Sequence, residues 1–229
     1  MLQTESITES VHEFQKGIFL LKVFAPEIAV EAKPGQFCNV KVNNDYYPLL
    51  RRPFSICEVD GDYISFMFNI VGIGTEILST KRKGESIDII GPLGHGFSYS
   101  GNYKNALIIA GGIGSAPFPF LIREIAEDKD ISCFVGGRSK ADIISYGMKN
   151  IFTSTDDGTE GFHGNVVELL KSEIENYDIN RTKIFACGPN PMLRAVSDFS
   201  ISRSIDCEIS TESVMACGFG ICQGCPVES

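Results

Sequence analysis

The sequence predicts an N-terminal antiparallel β-barrel, a parallel-sheet α/β domain and a short cysteine-rich segment at the C-terminus. Up to about residue 100, short runs of aromatic and β-branched residues alternate with turn signals, which is typical of antiparallel strands. From Asn105 onward, apolar strands alternate with helical patterns, which favours a parallel sheet with crossover helices. Three of the eight cysteines lie in the last thirteen residues. We place the boundaries at residues 1–101, 102–205 and 206–229.

Two turn signals help to delimit the predicted barrel strands: one strand follows Pro34-Gly35, and another precedes Asp60-Gly61-Asp62. Many short strands without a long helical pattern favour a closed barrel, because an open sheet would leave strand edges exposed. The expected strands cover residues 18–24, 36–42, 52–58, 63–71 and 86–90.

The predicted α/β domain starts with a continuous apolar strand, a glycine-rich turn and a helix that ends near Ala126. Pro191 suits the first turn of the last helix. Strands are expected at residues 105–110, 131–135, 150–154, 183–187 and 207–211, with further helices at 164–172 and 191–199.

Composition and motif content disfavour several classes of function. The 229 residues carry a formal net charge of −9, which disfavours general binding to nucleic acid. No apolar run approaches the roughly 20 residues of a membrane span, and the N-terminus lacks the pattern of a signal peptide. No Ser–His–Asp arrangement favours hydrolysis. We therefore expect a cytoplasmic protein that binds neither nucleic acid nor membrane.

The C-terminal cysteines form the most specific motif. Cys217, Cys222 and Cys225 have the C-x₄-C-x₂-C spacing of the first three ligands in a plant-type [2Fe–2S] loop, and interspersed glycines allow tight curling. A zinc site is the alternative, although structural zinc more often uses paired C-x₂-C units. A disulfide knot fits poorly in a reducing compartment. The other five cysteines are expected to be buried apolar residues.

Two motifs in the barrel region suit phosphate binding. Arg52-Pro53-Phe54-Ser55 offers a guanidinium for a phosphate, a hydroxyl and an aromatic ring. Gly72-Ile73-Gly74-Thr75 follows a strand and places backbone N–H groups at a helix start. The alternatives are a surface strand with solvated arginines, and a helix start that Thr75 caps.

Three motifs in the α/β region follow predicted strands. Gly111-Gly112-Ile113-Gly114 leads from a strand into a helix and suits a pyrophosphate, but Pro117 replaces the last glycine of the dinucleotide fingerprint. A tight turn without a ligand fits equally well. Cys187-Gly188-Pro189 ends a strand, where a small thiol has room beside a nicotinamide, or is simply buried. Asp156-Asp157 is either a polar turn or a contact to a ribose.

Taken in order, these motifs resemble those of the ferredoxin–NADP reductase superfamily over nearly the whole chain. Leu50-Arg51-Arg52-Pro53, Thr155-Asp156-Asp157-Gly158 and the string from Glu212 to Cys225 resemble more narrowly the electron-transfer subunits of class B dihydroorotate dehydrogenases. The resemblance implies an FAD-binding barrel, a Rossmann-like NAD(H) domain and cluster ligands at Cys217, Cys222 and Cys225. It implies flavin contacts at Arg52, Pro53, Phe54, Ser55, Asn69, Ile70, Val71, Gly72, Gly74 and Thr75. It implies nucleotide contacts at Gly111, Gly112, Gly114, Asp156, Asp157, Gly188 and Pro189, with Cys187 near the nicotinamide.

The resemblance also implies a partner, an FMN-containing catalytic subunit in a heterotetramer with two copies of each chain. Electrons from dihydroorotate would pass from FMN through the cluster and FAD to NAD⁺, in pyrimidine synthesis. Two alternatives stay open: a reductase subunit of a hydrogenase or ferredoxin-linked transhydrogenase, and a non-catalytic redox or metal sensor. In this family a fourth cysteine follows downstream, whereas the printed sequence ends four residues after Cys225. We expect truncation, with poor iron binding by the polypeptide as printed.

Overall fold

The computed structural model describes residues 1–43, 45–212, 215–222 and 225. The chain forms two compact units. The first contains residues 1–97 together with the described residues from Glu212 onward, and the second contains residues 98–211. The sequence-based boundaries, which set the C-terminal segment apart from residue 206, stay a prediction.

The first unit is a closed six-stranded antiparallel barrel, as predicted, with the strand order β1-β2-β5-β4-β3-β6. Two short helices lie in its connections, α1 (Pro26–Glu31) and α2 (Ile73–Ser79). Alternating apolar residues fill its interior, among them the fully buried Phe66 and Ile89. The strands are β1 (Leu2–Gln15), β2 (Ile18–Phe24), β3 (Phe37–Lys41), β4 (Arg52–Asp60), β5 (Tyr63–Asn69) and β6 (Ser86–Leu93).

The first strand, β1, was not predicted, although it closes the barrel by pairing with both β2 and β6. Its buried positions include Ser6 and Thr8, whereas Ile7 between them points outward and is 40% exposed. The usual alternation of inward apolar and outward polar residues is therefore reversed over this stretch. A prediction based on hydrophobic period cannot detect such a strand.

The second unit contains a six-stranded sheet in the order β10-β9-β8-β7-β11-β12, and every pairing in it is parallel. This arrangement confirms the predicted α/β class. The strands are β7 (Asn105–Gly111), β8 (Asp130–Gly137), β9 (Ile151–Thr155), β10 (Phe162–His163), β11 (Thr182–Cys187) and β12 (Asp206–Ser210). The helices are α3 (Phe118–Ile125), α4 (Val166–Glu173) and α5 (Asn190–Arg203).

Local sequence explains how the α/β elements begin and pack. Asn165 caps α4, since its side chain accepts hydrogen bonds from the backbone N–H groups of Val167 and Glu168. The apolar faces of α4 and α5 pack on one face of the sheet, with Leu170 and Val196 fully buried. Cys207, on β12, packs against the same core.

An ion cluster around one buried lysine fastens β12 to β11. The Lys183 side chain is 8% exposed, and its Nζ lies 3.0 Å from Asp206 Oδ2 and 2.8 Å from Glu208 Oε1. The other oxygen of Glu208 accepts a hydrogen bond of 2.8 Å from the backbone N–H of Ser98. These contacts tie the edge of the sheet to the residue with which this unit begins.

None of the helices in the described ranges is long and apolar enough to cross a membrane.

Candidate functional site

The two phosphate motifs of the barrel lie at one end of it. Strands β4 and β5 are antiparallel neighbours. The start of β4 at Arg52 and the end of β5 at Asn69 therefore lie at the same end of the barrel. Helix α2 follows β5 directly. A Cβ atom built on Gly74 would lie 2.5 Å from Nε of Arg52, so the guanidinium lies directly against this glycine. The fold therefore brings together Arg52 and Gly74, which are distant in sequence.

Thr75 caps the start of α2. Its hydroxyl accepts hydrogen bonds from the backbone N–H groups of Val71 (2.9 Å) and Gly72 (3.3 Å) and donates one to the Gly72 carbonyl (3.0 Å). These bonds use the full capacity of the hydroxyl, which is the capping role that the sequence offered as the alternative. The surface beside it is open, because Val71 is 77% exposed, Ile70 is 45% exposed and a Cβ on Gly72 would meet no atom within 4 Å.

The other residues of the arginine motif differ in exposure. Phe54 is half-buried and packs against Phe66 and Phe68, with ring centroids 6.1 and 5.7 Å away. Pro53 is exposed and Ser55 is partly buried. The exposed part of the Phe54 ring is what this motif can offer to a planar ligand.

The neighbouring arginines have different roles. Nη2 of Arg51 lies 2.5 Å from Oδ2 of Asp88, and Nη1 donates to the Asp88 backbone carbonyl at 3.0 Å, which fastens Arg51 to β6. Among the described residues, the hydrogen bond of Arg52 is local and goes to the carbonyl of Leu50. The guanidinium of Arg52 is therefore the one placed to serve a ligand.

An open cleft of about 470 Å³ extends from this motif. Tyr47 and Leu49, on the segment before β4, are 73% and 74% exposed. Neither residue is predictable as part of a site from sequence, because large apolar residues among turn residues give no periodic signal. The cleft is lined by Tyr47, Pro48, Leu49, Leu50, Arg51, Arg52, Pro53 and Met215.

The cysteine loop begins at Cys217 and includes Cys222 and Cys225. Its described residues curl around the Sγ atom of Cys217. The backbone N–H of Cys222 points at Sγ of Cys217 from 3.5 Å. Hydrogen bonds from the backbone N–H groups of Cys222 and Phe219 lower the pKa of the Cys217 thiol to about 6. Gly218 and Gly220, with φ of 75° and 86°, permit this curl.

This donor chemistry fits a thiolate ligand of iron, since N–H groups directed at sulfur are a feature of iron–sulfur loops. The structure does not, however, bring the three cysteines together. Within the described ranges, no group of three or more His, Cys, Asp or Glu side chains is placed to hold a metal ion. Gly224 and the residues after Cys225 lie outside the described residues.

In the α/β unit, two of the predicted nucleotide motifs, at Gly111 and at Cys187, meet at the ends of β7 and β11. Strand β7 has β8 on one side and β11 on the other, so the chain reverses its direction of travel across the sheet between β7 and β11. Ligands of open α/β sheets bind at such switch points, at the carboxyl ends of the strands. Gly111 ends β7 and Cys187 ends β11 at this edge. Cys187 is 2% exposed.

Most glycines at this edge are required for packing. A Cβ on Gly114 would lie 2.5 Å from the Cys187 carbonyl oxygen, and one on Gly111 would lie 2.8 Å from Sδ of Met192. A Cβ on Gly188 would lie 2.6 Å from Cε of the same methionine. By contrast, a Cβ on Gly112 would meet no atom within 4 Å, and its φ is 54°. Gly112 is therefore the glycine that leaves backbone open to a ligand.

The two aspartates lie at the end of β9. One carboxylate oxygen of Asp157 accepts hydrogen bonds from the hydroxyl (2.6 Å) and the backbone N–H (3.0 Å) of Thr159. These bonds lower the pKa of Asp157, and they make it the carboxylate of a tight polar turn. Asp156 is exposed at the same strand end, and is the better placed of the two for a ribose hydroxyl.

No family model matches the chain. It is similar to curated proteins named dihydroorotate dehydrogenase B (NAD(+)), electron transfer subunit. The one from Desulforamulus reducens is 36% identical, over 96% of this chain and 86% of the relative. The ones from a Geobacillus species and from Bacillus cereus strain G9842 are 32% and 35% identical, each over 98% of this chain and 89% or 88% of the relative.

Solved structures show the same fold. An NADH-dependent reduced ferredoxin–NADP oxidoreductase superposes with a TM-score of 0.84 at 23% identity, over 97% of this chain and 81% of the other. A ferredoxin–NADP⁺ reductase from Neisseria gonorrhoeae, solved with FAD and NADP, gives 0.75 at 17% identity, over 91% and 99%. A barrel followed by a parallel sheet is thus the ferredoxin–NADP reductase fold. At 32–36% identity over nearly its whole length, the chain belongs to the family of dihydroorotate dehydrogenase B electron transfer subunits, a family of flavin oxidoreductase subunits.

Proposed function

We propose that this chain carries electrons between an FMN-containing dihydroorotate dehydrogenase subunit and NAD⁺, in pyrimidine synthesis. The observation that carries the proposal is the 36% identity to the Desulforamulus reducens electron transfer subunit over 96% of this chain. The catalytic partner oxidises dihydroorotate, and this chain passes the electrons on. The assembly contains two copies of each subunit.

The barrel unit would hold FAD. Its Arg52 guanidinium would bind a flavin phosphate by a charge-assisted hydrogen bond, and Gly74 leaves room for that guanidinium. The exposed backbone from Ile70 to Gly72 and the free part of the Phe54 ring would border the flavin. Thr75 contributes by fixing the start of α2 with its hydroxyl rather than by a hydroxyl contact to the flavin.

The α/β unit would hold NAD(H) at the switch point. Gly112 offers open backbone to the pyrophosphate, and Asp156 is exposed at the end of β9 for a ribose hydroxyl. Gly111, Gly114 and Gly188 allow the strand ends to pack closely enough to form this edge. Cys187, a small side chain at the end of β11, leaves space for a nicotinamide ring.

The cysteine loop would hold a [2Fe–2S] cluster through Cys217, Cys222 and Cys225. A lowered pKa prepares Cys217 as a thiolate, which is the form that ligates iron. When bound, the flavin handles electrons singly or in pairs and the cluster handles them singly, so the chemistry belongs to these groups. The chain itself binds, orients and shields them.

The decisive experiment expresses this chain with and without a dihydroorotate dehydrogenase catalytic subunit. The pair is expected to reduce NAD⁺ with dihydroorotate, whereas the isolated chain oxidises NADH only with artificial acceptors. Arg52→Ala should lose flavin and activity together, while Arg82→Ala, a change at an exposed arginine of the same unit, should retain both. Sedimentation of the complex tests the two-plus-two stoichiometry.

The same experiment separates the alternatives. Purification from native cells with a hydrogenase or a ferredoxin-linked enzyme, and without dihydroorotate activity, would move this chain to another complex. Absence of flavin absorbance from the purified chain would favour a non-catalytic sensor.

A further inference from the structure

A buried amide of the barrel holds the cysteine loop. Asn39, on β3, is 2% exposed, and its Nδ2 donates a hydrogen bond of 2.9 Å to the backbone carbonyl of Cys217. Nearly complete burial makes this bond matter, because an asparagine amide removed from water without a partner is costly. The contact joins residues that are 178 positions apart in sequence, so no local feature of the loop supplies it.

The shape of the loop indicates the same contact independently. A Cβ atom on Gly218, the residue after Cys217, would overlap the amide of Asn39. Gly218 also has a φ of 75°. The loop therefore approaches Asn39 so closely that only glycine fits there.

We propose that Asn39 is a positioning residue that fixes the Cys217 loop to the barrel. Asn39 lies on β3, directly beside the strand that carries Arg52. It pairs with Pro53 of β4, and the next residue, Val40, pairs with Arg52. Paired Cα atoms of antiparallel strands lie roughly 4.5–5.5 Å apart. The amide thus anchors the loop beside the strand that carries the candidate flavin arginine. The inference rests on the proposed function insofar as the loop is taken to bind the cluster.

Hydrogen exchange of the FAD-bound chain, before iron is added, tests the anchor directly. Asn39→Leu keeps a similar side-chain volume and removes the donor. Amides of residues 217–222 are expected to exchange roughly 2- to 10-fold faster, as the loss of one hydrogen bond predicts, while FAD stoichiometry stays unchanged. The matched control is Asn105→Leu, which removes an asparagine amide bonded to Thr182 in the α/β unit. It should leave residues 217–222 as they are.

A glycine pair tests the geometry without touching Asn39. Gly218→Ala and Gly220→Ala impose the same kind of backbone strain, since both residues have positive φ. A Cβ meets the Asn39 amide at position 218 and meets nothing within 4 Å at position 220. Gly218→Ala should therefore speed exchange in the loop several-fold more than Gly220→Ala. Combining Gly218→Ala with Asn39→Ala should remove most of that excess.

Faster exchange confined to residues 217–222 supports the anchor. Wild-type exchange in Asn39→Leu, or equal effects of the two glycine variants, overturns it. If Asn39→Leu fails to fold, the glycine pair decides alone. Dihydroorotate-dependent reduction of NAD⁺ is then measured on the wild-type chain together with its catalytic subunit. A confirmed anchor in a chain that supports no such reduction would refute the proposed function and leave the anchor standing.

Discussion

Gly74→Ala should weaken FAD binding by displacing a single side chain. The added Cβ would lie 2.5 Å from Nε and 3.1 Å from Cζ of Arg52, whereas ordinary contacts lie at 3.4–4 Å. The guanidinium is the free end of a long side chain, so it moves aside while the backbone stays in place. Gly74 lies inside α2, where alanine is favoured over glycine by about 1 kcal/mol. The melting temperature of the apoprotein should therefore not fall.

The expected loss is that of one charge-assisted hydrogen bond, roughly 1.5–3 kcal/mol, which corresponds to a roughly 10- to 150-fold higher Kd for FAD. Fluorescence titration of FAD into deflavinated protein measures it. The control is Gly74→Ala in an Arg52→Ala background, where no guanidinium is left for the added Cβ to displace, so the Kd should not rise further. A wild-type Kd for Gly74→Ala, or a further rise of the same size in the Arg52→Ala background, would refute the role of Arg52.

Three further predictions concern the rest of the chain. Lys183→Met should lower the free energy of unfolding by roughly 1.5–3 kcal/mol, because two carboxylates of β12 lose their charge-assisted hydrogen bonds to a lysine that is 8% exposed. Lys104→Met, at an exposed pair, should cost less than about 1 kcal/mol. Burial lowers the pKa of Lys183, but its hydrogen bonds outweigh this and raise it above 10.5. The stabilisation should thus be complete below pH 10.5 and fade as pH rises through the raised pKa in urea titrations. Cys222→Ser should reduce the iron bound after reconstitution, whereas Cys207→Ser, in the α/β core, should not. Cys187→Ala should alter the turnover of NADH with ferricyanide while FAD content stays constant, and unchanged turnover would remove Cys187 from the nicotinamide site.

Strands with a regular pattern were predictable. Residues 18–24 were predicted and observed as β2 with identical bounds, because apolar and β-branched residues lie between clear turn signals. The central parallel strands β7, β8 and β11 were equally clear, since strands buried on both faces appear as continuous apolar runs. The two-residue edge strand β10, which is exposed, was not predicted. Strand β1 was missed because Ser6 and Thr8 occupy buried positions while Ile7 faces outward. Ser6 and Thr8 are buried because β1 closes the barrel by pairing with β2 and β6, and this long-range pairing is not visible in the local sequence.

The candidate site was predicted as separate motifs, and the fold adds which residues of each motif are available. Two adjacent arginines look alike in sequence, yet Arg51 is held by Asp88 and Arg52 is not. Glycines present the same ambiguity: Gly114 is glycine because the Cys187 carbonyl lies against it, whereas Gly112 faces open space. The sequence alone does not tell a glycine that close packing requires from a glycine that leaves backbone open to a ligand. The atoms around each glycine in the fold distinguish the two cases.

Strand register links the barrel's packing to its candidate site. A Cβ atom on Gly91 of β6 would overlap Sγ of Cys38, so the thiol of Cys38 fills the space that this glycine leaves. Successive side chains of a strand point to opposite faces, so seating Cys38 against Gly91 turns Asn39 the other way, toward the Cys217 loop. A one-residue slip of β3 would exchange the two faces. The same slip would shift the pairing of Val40 with Arg52. The seating of the buried Cys38 thiol is thus tied, through the register of β3, to the residue that contacts the cysteine loop and to the strand position that pairs with Arg52, the candidate flavin arginine.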